Sequence, residues 1–264
     1  MHRPLLVAAT LLAAAARASA ADMPVYTKAP AALDWTGFFY TGASVGGRWS
    51  DVDWRTTAIG SPLGPPPANP ATPAATSFDS ATVRAGGYFG YLRRIAPAWV
   101  VGLEGDLAWG DGRKTVAGIP GTTTSVAALS LDSASVKEDW DASLRGRLGF
   151  LVTPTFLLYG TGGVAWQNLV SSATCAGTAG SACTTALSEQ NSWTKAGWTV
   201  GGGVEAKLWH NWLGRLEYRY ADYGTIGHVF FAGSPANQAA VSETLTTHSL
   251  LFGLAYEFGM QGPP

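Results

Sequence analysis

The sequence has 264 residues and a formal net charge of −1, and only 13% of its residues are charged, about half the share usual in soluble domains. Such low charge excludes a basic nucleic-acid-binding surface, and a hydrophobic content of 47% excludes a disordered chain. No apolar run reaches the roughly 18 residues of a membrane-spanning helix. The many glycines and aromatic residues favour instead a transmembrane β-barrel.

The first segment has the pattern of an export signal. A basic start is followed by an apolar stretch from Leu5 to Ala16 and by small residues at 18–20. We predict a signal peptide at 1–20, cleaved after Ala20 or one residue later; the alternative is a membrane anchor. The next residues, 21–36, predict an extended periplasmic N-terminal tail.

Eight later segments alternate apolar and polar residues with a period of two, as β-strands do. They are Phe38–Trp49, Thr82–Ile95, Trp99–Gly110, Trp140–Val152, Phe156–Trp166, Ala196–Leu208, Trp212–Asp222 and His248–Phe258. Their lengths match the roughly 9–11 residues with which a tilted strand crosses a bilayer.

The connections between these segments alternate in length. Three of them are tight turns, at 96–98, 153–155 and 209–211. The other four are long and rich in Pro, Ser, Thr, Ala and Gly, at about 51–81, 111–139, 167–195 and 223–247. Short periplasmic turns and long extracellular loops are typical of outer-membrane barrels. We therefore predict an all-β, eight-stranded antiparallel up-and-down barrel at 37–258, followed by a C-terminal tail at 259–264.

The two faces of each strand differ in polarity. Leu103 and Leu107 share one face of the third segment, and Glu104 and Asp106 share the other. A water-soluble sandwich would alternate in the same way, so the period alone does not say which face points outward. The aromatic residues at the strand ends favour a lipid-facing apolar side, because interfacial belts have this composition.

The polar faces predict a network of charges inside the barrel. Its members are Glu104, Asp106, Arg145, Arg147, Glu205, Lys207, Arg215, Glu217, Arg219 and Glu257, and Arg48, Arg84 and Arg94 are also expected to point inward. The tight turn at 209–211 places Glu205 opposite Arg215 or Glu217. Two interpretations remain open: a salt-bridged plug, or the selectivity lining of a narrow pore.

Six stretches, in order, resemble one known family. They are WTGFFYTGASVGG, VVGLEGDLAW, ASLRGRLGF, YGTGGVAW, KAGWTVGGGVE and RLEYRYADYG. Together they look like the small outer-membrane immunogenic proteins of Gram-negative bacteria, a porin-like, opacity-type group of eight-stranded barrels. The resemblance covers most of the mature chain except the long loops.

The resemblance implies a non-enzymatic surface protein of the outer membrane that contributes to envelope structure and displays its loops. Related proteins form small channels or bind haem, so a narrow channel and a loop-mediated receptor or adhesin are the alternatives. The implied partners are outer-membrane lipid, the barrel assembly machinery and a possible extracellular loop ligand, with no nucleic acid. The final aromatic residue of such barrels is an assembly signal, and Phe258 matches that position.

The remaining motifs predict structure rather than catalysis. Cys175 and Cys183 lie in one long loop of an exported chain, which favours a disulfide over a metal site. His248 and Ser249 are neighbours on a strand and should face opposite sides, which argues against a hydrolase pair. His228 is expected to be a solvent-exposed loop residue. We therefore expect no catalytic residue, no cofactor and no metal site.

Overall fold

The computed structural model describes residues 35, 37–60, 69–71, 74–122, 131–178, 181, 183 and 185–259. In this part of the chain it contains nine β-strands, which we number in chain order. They are β1 (Phe38–Ile59), β2 (Ala75–Ser77), β3 (Ser80–Ala96), β4 (Trp99–Ala117), β5 (Ser133–Leu151), β6 (Phe156–Cys175), β7 (Leu187–Lys207), β8 (Trp212–Phe230) and β9 (Ala239–Gly259). Among the same residues no helix is long and apolar enough to cross a bilayer.

Eight of the strands form a closed ring. Each long strand pairs antiparallel with the next one in sequence, and β9 pairs with β1 from Phe38↔Gly259 to Ile59↔Ala239. Along the half of the barrel nearest the tight turns, closure gives every long strand a paired neighbour on both sides, which leaves no free sheet edge there. The predicted eight-stranded barrel is confirmed. The short β2 is an addition that pairs with β1 at Asp53–Arg55.

The strands extend far into the segments expected to be irregular loops. β1 continues to Ile59, β6 to Cys175 and β8 to Phe230, so the predicted loop boundaries are wrong. The extension of β1 carries no lipid-facing apolar pattern, because Asp51, Asp53, Arg55 and Thr57 occupy its outward positions. The inward positions of the extensions hold apolar side chains such as Trp54 and Leu169, and burial of these side chains stabilises the extra length.

The outer surface between the strand ends is apolar. Leu103 is 55% exposed on this surface, whereas its neighbour Glu104 is only 1% exposed inside the barrel. Aromatic side chains border the apolar band at both ends, with Trp99 and Phe258 near the tight turns and Trp109 and Trp198 towards the long connections. The charges therefore point inward, which excludes the water-soluble sandwich. We call the two ends of the barrel the turn end and the loop end.

The interior has three layers. At the turn end, Trp35, Phe38 and Leu213 belong to one buried apolar cluster. At the loop end a larger cluster includes Trp54, Phe230 and the two cysteines, and we call this region the apolar chamber. Between the two lie the buried charges. The predicted signal peptide at 1–20, residues 21–34 and 36 of the predicted tail, and residues 260–264 fall outside the described residues.

Candidate functional site

The middle layer is built by the two-residue period of the strands. Every second side chain of a closed barrel points inward, so β4 contributes Glu104 and Asp106 and β5 contributes Arg145 and Arg147. The opposite wall contributes Glu205 from β7 and three further charges from β8. We call the buried charged side chains of this layer the charge network.

Glu104 is the centre of the network. Its Oε1 lies 2.5 Å from Arg145 Nη2, and its Oε2 lies 2.5 Å from Arg215 Nη1 and 3.3 Å from Arg147 Nη1. The hydroxyl of Tyr40 donates a hydrogen bond to the same Oε2 over 2.7 Å. One carboxylate thus joins three guanidinium groups from two opposite walls, a geometry in which charge-assisted hydrogen bonds are strong.

Two further carboxylates extend the network around the barrel. Glu217 contacts Arg145 at 2.7 Å and Arg219 at 2.9 Å, and it accepts a hydrogen bond from the Tyr159 hydroxyl. Asp106 contacts Arg84 at 2.5 Å and Arg219 at 2.9 Å. Each arginine shared between two carboxylates couples strands that are not neighbours in the sheet.

Towards the loop end, two carboxylates that the sequence analysis did not include complete the network. Glu138 lies 3.0 Å from Arg48 Nε, and Asp141 contacts both Arg48 and Arg84. The ladder between β4 and β5 shifts register between Trp109 and Gly112, and the one between β5 and β6 shifts between Glu138 and Asp141. These irregularities break the simple alternation and allow both acids to point inward.

The network partners differ from those expected of cross-strand neighbours. Glu205 and Arg215 face each other in the ladder of β7 and β8, yet the ion pair of Glu205 is with Arg147, at 3.0 Å. The register predicted from the tight turn at 209–211 is confirmed, but the ion pair of Glu205 is not with the residue that faces it. Lys207 and Glu257, both expected among the inward charges, pair with each other at the turn end, at 3.0 Å. Arg94 points to the turn-end surface and donates to the carbonyl of Ala96.

The charges of the network balance. Six arginines face six carboxylates in it: Arg48, Arg84, Arg145, Arg147, Arg215 and Arg219 against Glu104, Asp106, Glu138, Asp141, Glu205 and Glu217. A cavity among Arg48, Asp141 and Arg219 measures about 10 Å³, at the lower limit for one water molecule. The arrangement can therefore neutralise buried charge and fill the lumen.

The turn end of the lumen is covered by Trp35. Its indole Nε1–H donates to the carbonyl oxygen of Pro154 over 3.0 Å, which fixes the ring across the mouth. The Lys207 ammonium lies 5.0 Å from the centre of this ring and 4.9 Å from that of Phe38, within range of a cation–π contact.

The two cysteines form a disulfide at the loop end. Cys175 and Cys183 are bonded, and both are buried in the apolar chamber. Asp132 lies beside them and accepts hydrogen bonds from the Ala176 amide and the Ser181 hydroxyl. The bridge and this carboxylate hold the start of the connection between β6 and β7 against the start of β5.

The other histidines and candidate motifs divide between the two faces. His248 lies on the outer face, where its Nδ1 is 2.6 Å from the Tyr218 hydroxyl, and Ser249 points into the barrel. The expectation that His228 is exposed is wrong: it lies in β8, and only 7% of its side chain is accessible. Phe258 lies on the outer face beside Phe39; its role in assembly stays a prediction. Among the described residues, no three His, Cys, Asp or Glu side chains are grouped to hold a metal ion.

The sequence matches a known family model over nearly its whole length. The model, described as outer membrane protein beta-barrel domain, matches residues 5–258. This chain belongs to that family. It is therefore an outer-membrane protein, and the turn end and loop end correspond to the periplasmic and extracellular sides.

Individual relatives agree with this assignment. The 25 kDa outer-membrane immunogenic protein of Brucella abortus is 28% identical over 260 residues, covering 96% of each chain. The 31 kDa outer-membrane immunogenic protein of Brucella melitensis is 29% identical over 184 residues, covering 68% of this chain and 70% of the relative. Among solved structures, OprG from Pseudomonas aeruginosa covers 85% of this chain and 97% of its own, with 14% identity and a TM-score of 0.46.

Proposed function

We propose that this protein is a non-enzymatic structural barrel of the outer membrane, with a lumen closed to solutes and a surface-displayed extracellular end. The observation that carries the proposal is the balanced charge network. Its arginines and carboxylates contact one another across the lumen, where an open pore would leave them facing water. A lining without net charge also gives little basis for selecting ions by sign.

The extracellular end supports a role in display. The strands continue well beyond the outer aromatic belt, so the connections stand on an extension of the barrel wall rather than at the membrane surface. The disulfide between Cys175 and Cys183 braces one of these connections. The names of the Brucella relatives describe them as immunogenic. We extend surface exposure from those proteins to this chain.

The positions and partners of the candidate catalytic groups support the non-enzymatic part of the proposal. His248 and Ser249 lie on opposite faces of β9, so they cannot act on one substrate. The buried carboxylates of the charge network are held by arginines, which keeps them from acting as free acids or bases.

Conductance measurement in planar bilayers tests the closed lumen. We expect purified protein to pass little current under conditions in which a general porin, inserted as the control, conducts steadily. The Glu104→Gln variant should lower stability without opening a selective path. A steady wild-type current whose ion selectivity changes in Glu104→Gln would replace the structural role by that of a narrow channel.

A further inference from the structure

The backbone pairing between β7 and β8 stops half-way up the barrel. The two strands are paired from Lys207↔Leu213 to Trp198↔Asp222, which is the level of the outer aromatic belt. Above this level β7 still pairs with β6 up to Cys175↔Leu187, and β8 still pairs with β9 up to Phe230↔Ala239. We call the interval between 187–197 of β7 and 223–230 of β8 the seam.

The divergence of the two strands has a local cause. The register of β8 against β9 shifts between Asp222 and Gly224, and Gly224 adopts a left-handed conformation with φ of 65°. The Asp222 carboxylate accepts a hydrogen bond from the Gly224 amide over 2.8 Å, which fixes this bend. Glycine accommodates a positive φ without strain.

Side chains close the seam in place of the backbone ladder. Lys195 Nζ donates to the carbonyl oxygen of Thr225 over 3.2 Å, and the Phe231 amide donates to Glu189 Oε2 over 2.5 Å. Between these two bridges, the rings of Trp193 and His228 are in contact, with centroids 4.3 Å apart. Among the described residues, these three contacts bridge the two strands between the apolar chamber and the outside.

A second interruption of the wall is covered differently. Pairing between β3 and β4 ends at Arg84↔Gly110. There the Phe78 amide donates to Val52 O and the Ala71 amide donates to Gly121 O, so the segment around β2 lies across the gap with backbone hydrogen bonds. Across the seam, by contrast, the hydrogen bonds between described residues on its two sides involve side chains.

The inner side of the seam holds polar atoms without partners. His228 Nε2 lies 3.8 Å from Glu243 Oε1 on β9, and the two side chains are 7% and 1% exposed. Within the described part of the chain, both ring nitrogens of His228, Glu243 Oε1 and Trp193 Nε1 lack hydrogen-bond partners. Glu243 Oε2 accepts one hydrogen bond, from the Ser171 hydroxyl. Buried polar atoms left unpaired weaken the closed arrangement relative to an open, hydrated one.

The charges around His228 are few. Glu243 faces the His228 ring from β9, and Glu189 faces it from β7. Lys195 lies farther along β7. The side chains of β1 and β8 that pack against the ring are neutral: Trp54 and Phe230. Burial lowers the pKa of His228 to about 4, against the opposing effect of Glu189. Burial raises the pKa of Glu243 to about 7, against the hydrogen bond from Ser171.

Both groups lie beyond the outer belt, outside the membrane-spanning part of the strands. Between these two pH values the pair carries one proton and no net charge. Loss of that proton leaves a buried carboxylate, and gain of a second leaves a buried cation. Either change is unfavourable in an apolar chamber.

We propose that the seam is a lateral gate into the apolar chamber. The gate opens while the rest of the barrel stays paired. It stays shut as long as His228 and Glu243 carry one proton between them. The gate leads to the extracellular chamber alone, because the charge network closes the lumen below it. This destination rests on the closed lumen of the proposed function, whereas the opening of the seam does not.

Thiol labelling in the full-length, disulfide-intact protein tests the gate. Val241 is buried in the chamber as the cross-strand partner of His228, so Val241→Cys reports access to the interior. Thr57→Cys, on the exposed surface, is the control for the pH dependence of the thiol reaction itself. We expect the labelling rate of Val241→Cys, divided by that of Thr57→Cys, to rise several-fold between about pH 5.5 and about pH 8.5.

A second substitution tests whether Glu243 is the group that loses the proton. In Glu243→Gln/Val241→Cys the ratio should not rise over the same pH range but fall, because His228 is then the only titrating member of the pair and its protonation favours the open state at the lower pH. A flat ratio in Val241→Cys alone, or a rise that survives Glu243→Gln, would overturn the proposal.

Hydrogen exchange in the wild-type chain gives a test without any substitution. The Phe231 amide, which donates to Glu189 across the seam, should lose protection at the higher pH, after correction for intrinsic exchange, while the amides of 198–207 and 213–222 keep theirs. Loss of protection in both halves of β7 together would mean general loosening of the barrel and would also overturn the gate.

Discussion

Arg147 Nη2 lies 3.0 Å from Glu205 Oε2, although Arg147 is on β5 and Glu205 is on β7. The contact passes over β6, whose Tyr159 ring lies beneath the guanidinium carbon at 4.0 Å. Arg215, which faces Glu205 in the ladder, turns to Glu104 instead. The lumen is thus narrow enough for a long side chain to select its partner across the barrel rather than on the next strand.

This relationship predicts which pair of substitutions is coupled. Glu205→Ala should destabilise the barrel by about 3 kcal/mol, because it leaves the buried Arg147 with only its longer contact to Glu104, which Arg145 and Arg215 share. The double variant Glu205→Ala/Arg147→Ala should lose less free energy of unfolding than the two single variants lose together. Reversible urea unfolding in lipid vesicles measures these differences.

The control for this cycle is Arg215. Glu205→Ala and Arg215→Ala should be closer to additive, since the two side chains do not form an ion pair. Stronger coupling to Arg215 than to Arg147 would contradict the geometry described above.

A matched pair of glycines tests the packing of the wall. A Cβ on Gly42 would lie 2.4 Å from Leu254 O, whereas a Cβ on the outward-facing Gly160 would meet only Gly201 O, at 3.8 Å. Gly42→Ala should therefore destabilise the barrel. Gly160→Ala should be neutral or stabilise it by about 0.4–1 kcal/mol, through the lower entropy of the unfolded chain. The midpoints of urea unfolding of the two variants measure these effects. Equal losses of stability in both would argue against a close approach of the Leu254 backbone to Gly42.

Replacing His228 should make the stability of the protein depend on the protonation of Glu243. Burial raises the pKa of Glu243 from 4.5 to about 7, so the folded state holds this proton to a higher pH than the unfolded state does. In His228→Gln, the contribution of Glu243 is fully present below about pH 4.5 and is lost as the pH rises to about 7. Stability measured across this range should fall with increasing pH.

The reverse substitution should show the opposite slope. Burial lowers the pKa of His228 from 6.5 to about 4, so in Glu243→Gln stability is present above about pH 6.5 and lost as the pH falls to about 4. The wild-type pair should be nearly flat between pH 4.5 and 6.5, because folded and unfolded chains both carry one proton on it. Parallel slopes in the two variants would show that the groups do not titrate in this way.

The disulfide should stabilise the extracellular end without being needed for the barrel. Replacing Cys175 and Cys183 by serine should lower the free energy of unfolding by roughly 2–3 kcal/mol, as loss of a short cross-link does. The transmembrane strands should remain folded, because their ladders and the charge network do not include this loop. Retained heat-modifiable migration in gels would show this, and complete loss of it would show that the loop governs folding.

The sequence is sufficient for the membrane-spanning half of the fold. Alternation such as Leu103, Glu104, Gly105 and Asp106 records the two different environments of a barrel wall, lipid outside and other charges inside. The tight turns are predictable for a similar reason, since Pro154 and Asn211 interrupt that alternation.

The half of the barrel above the outer belt could not be predicted from the sequence in this way. Above the outer belt both sides of the wall hold small or polar residues at many positions, so a period of two is no longer visible between 167 and 175. Glu138 was missed because it precedes a register shift. The burial of His228 depends on Trp193, which reaches it across the seam, and on Trp54 of β1, which is distant in sequence and is brought to it by the pairing of β1 with β9.

The charge network also constrains how the barrel can be assembled. Arg48 on β1 pairs with Glu138 and Asp141 on β5, and Glu104 on β4 pairs with Arg215 on β8. A partly built sheet lacking β8 and β9 would hold Glu104 without Arg215 and Asp106 without Arg219. Its polar face must therefore stay hydrated until the last hairpin arrives, and only then can the strands close around a dry interior. Biogenesis of this barrel is in this sense concerted: the final two strands complete both the wall and the neutralisation of what it encloses.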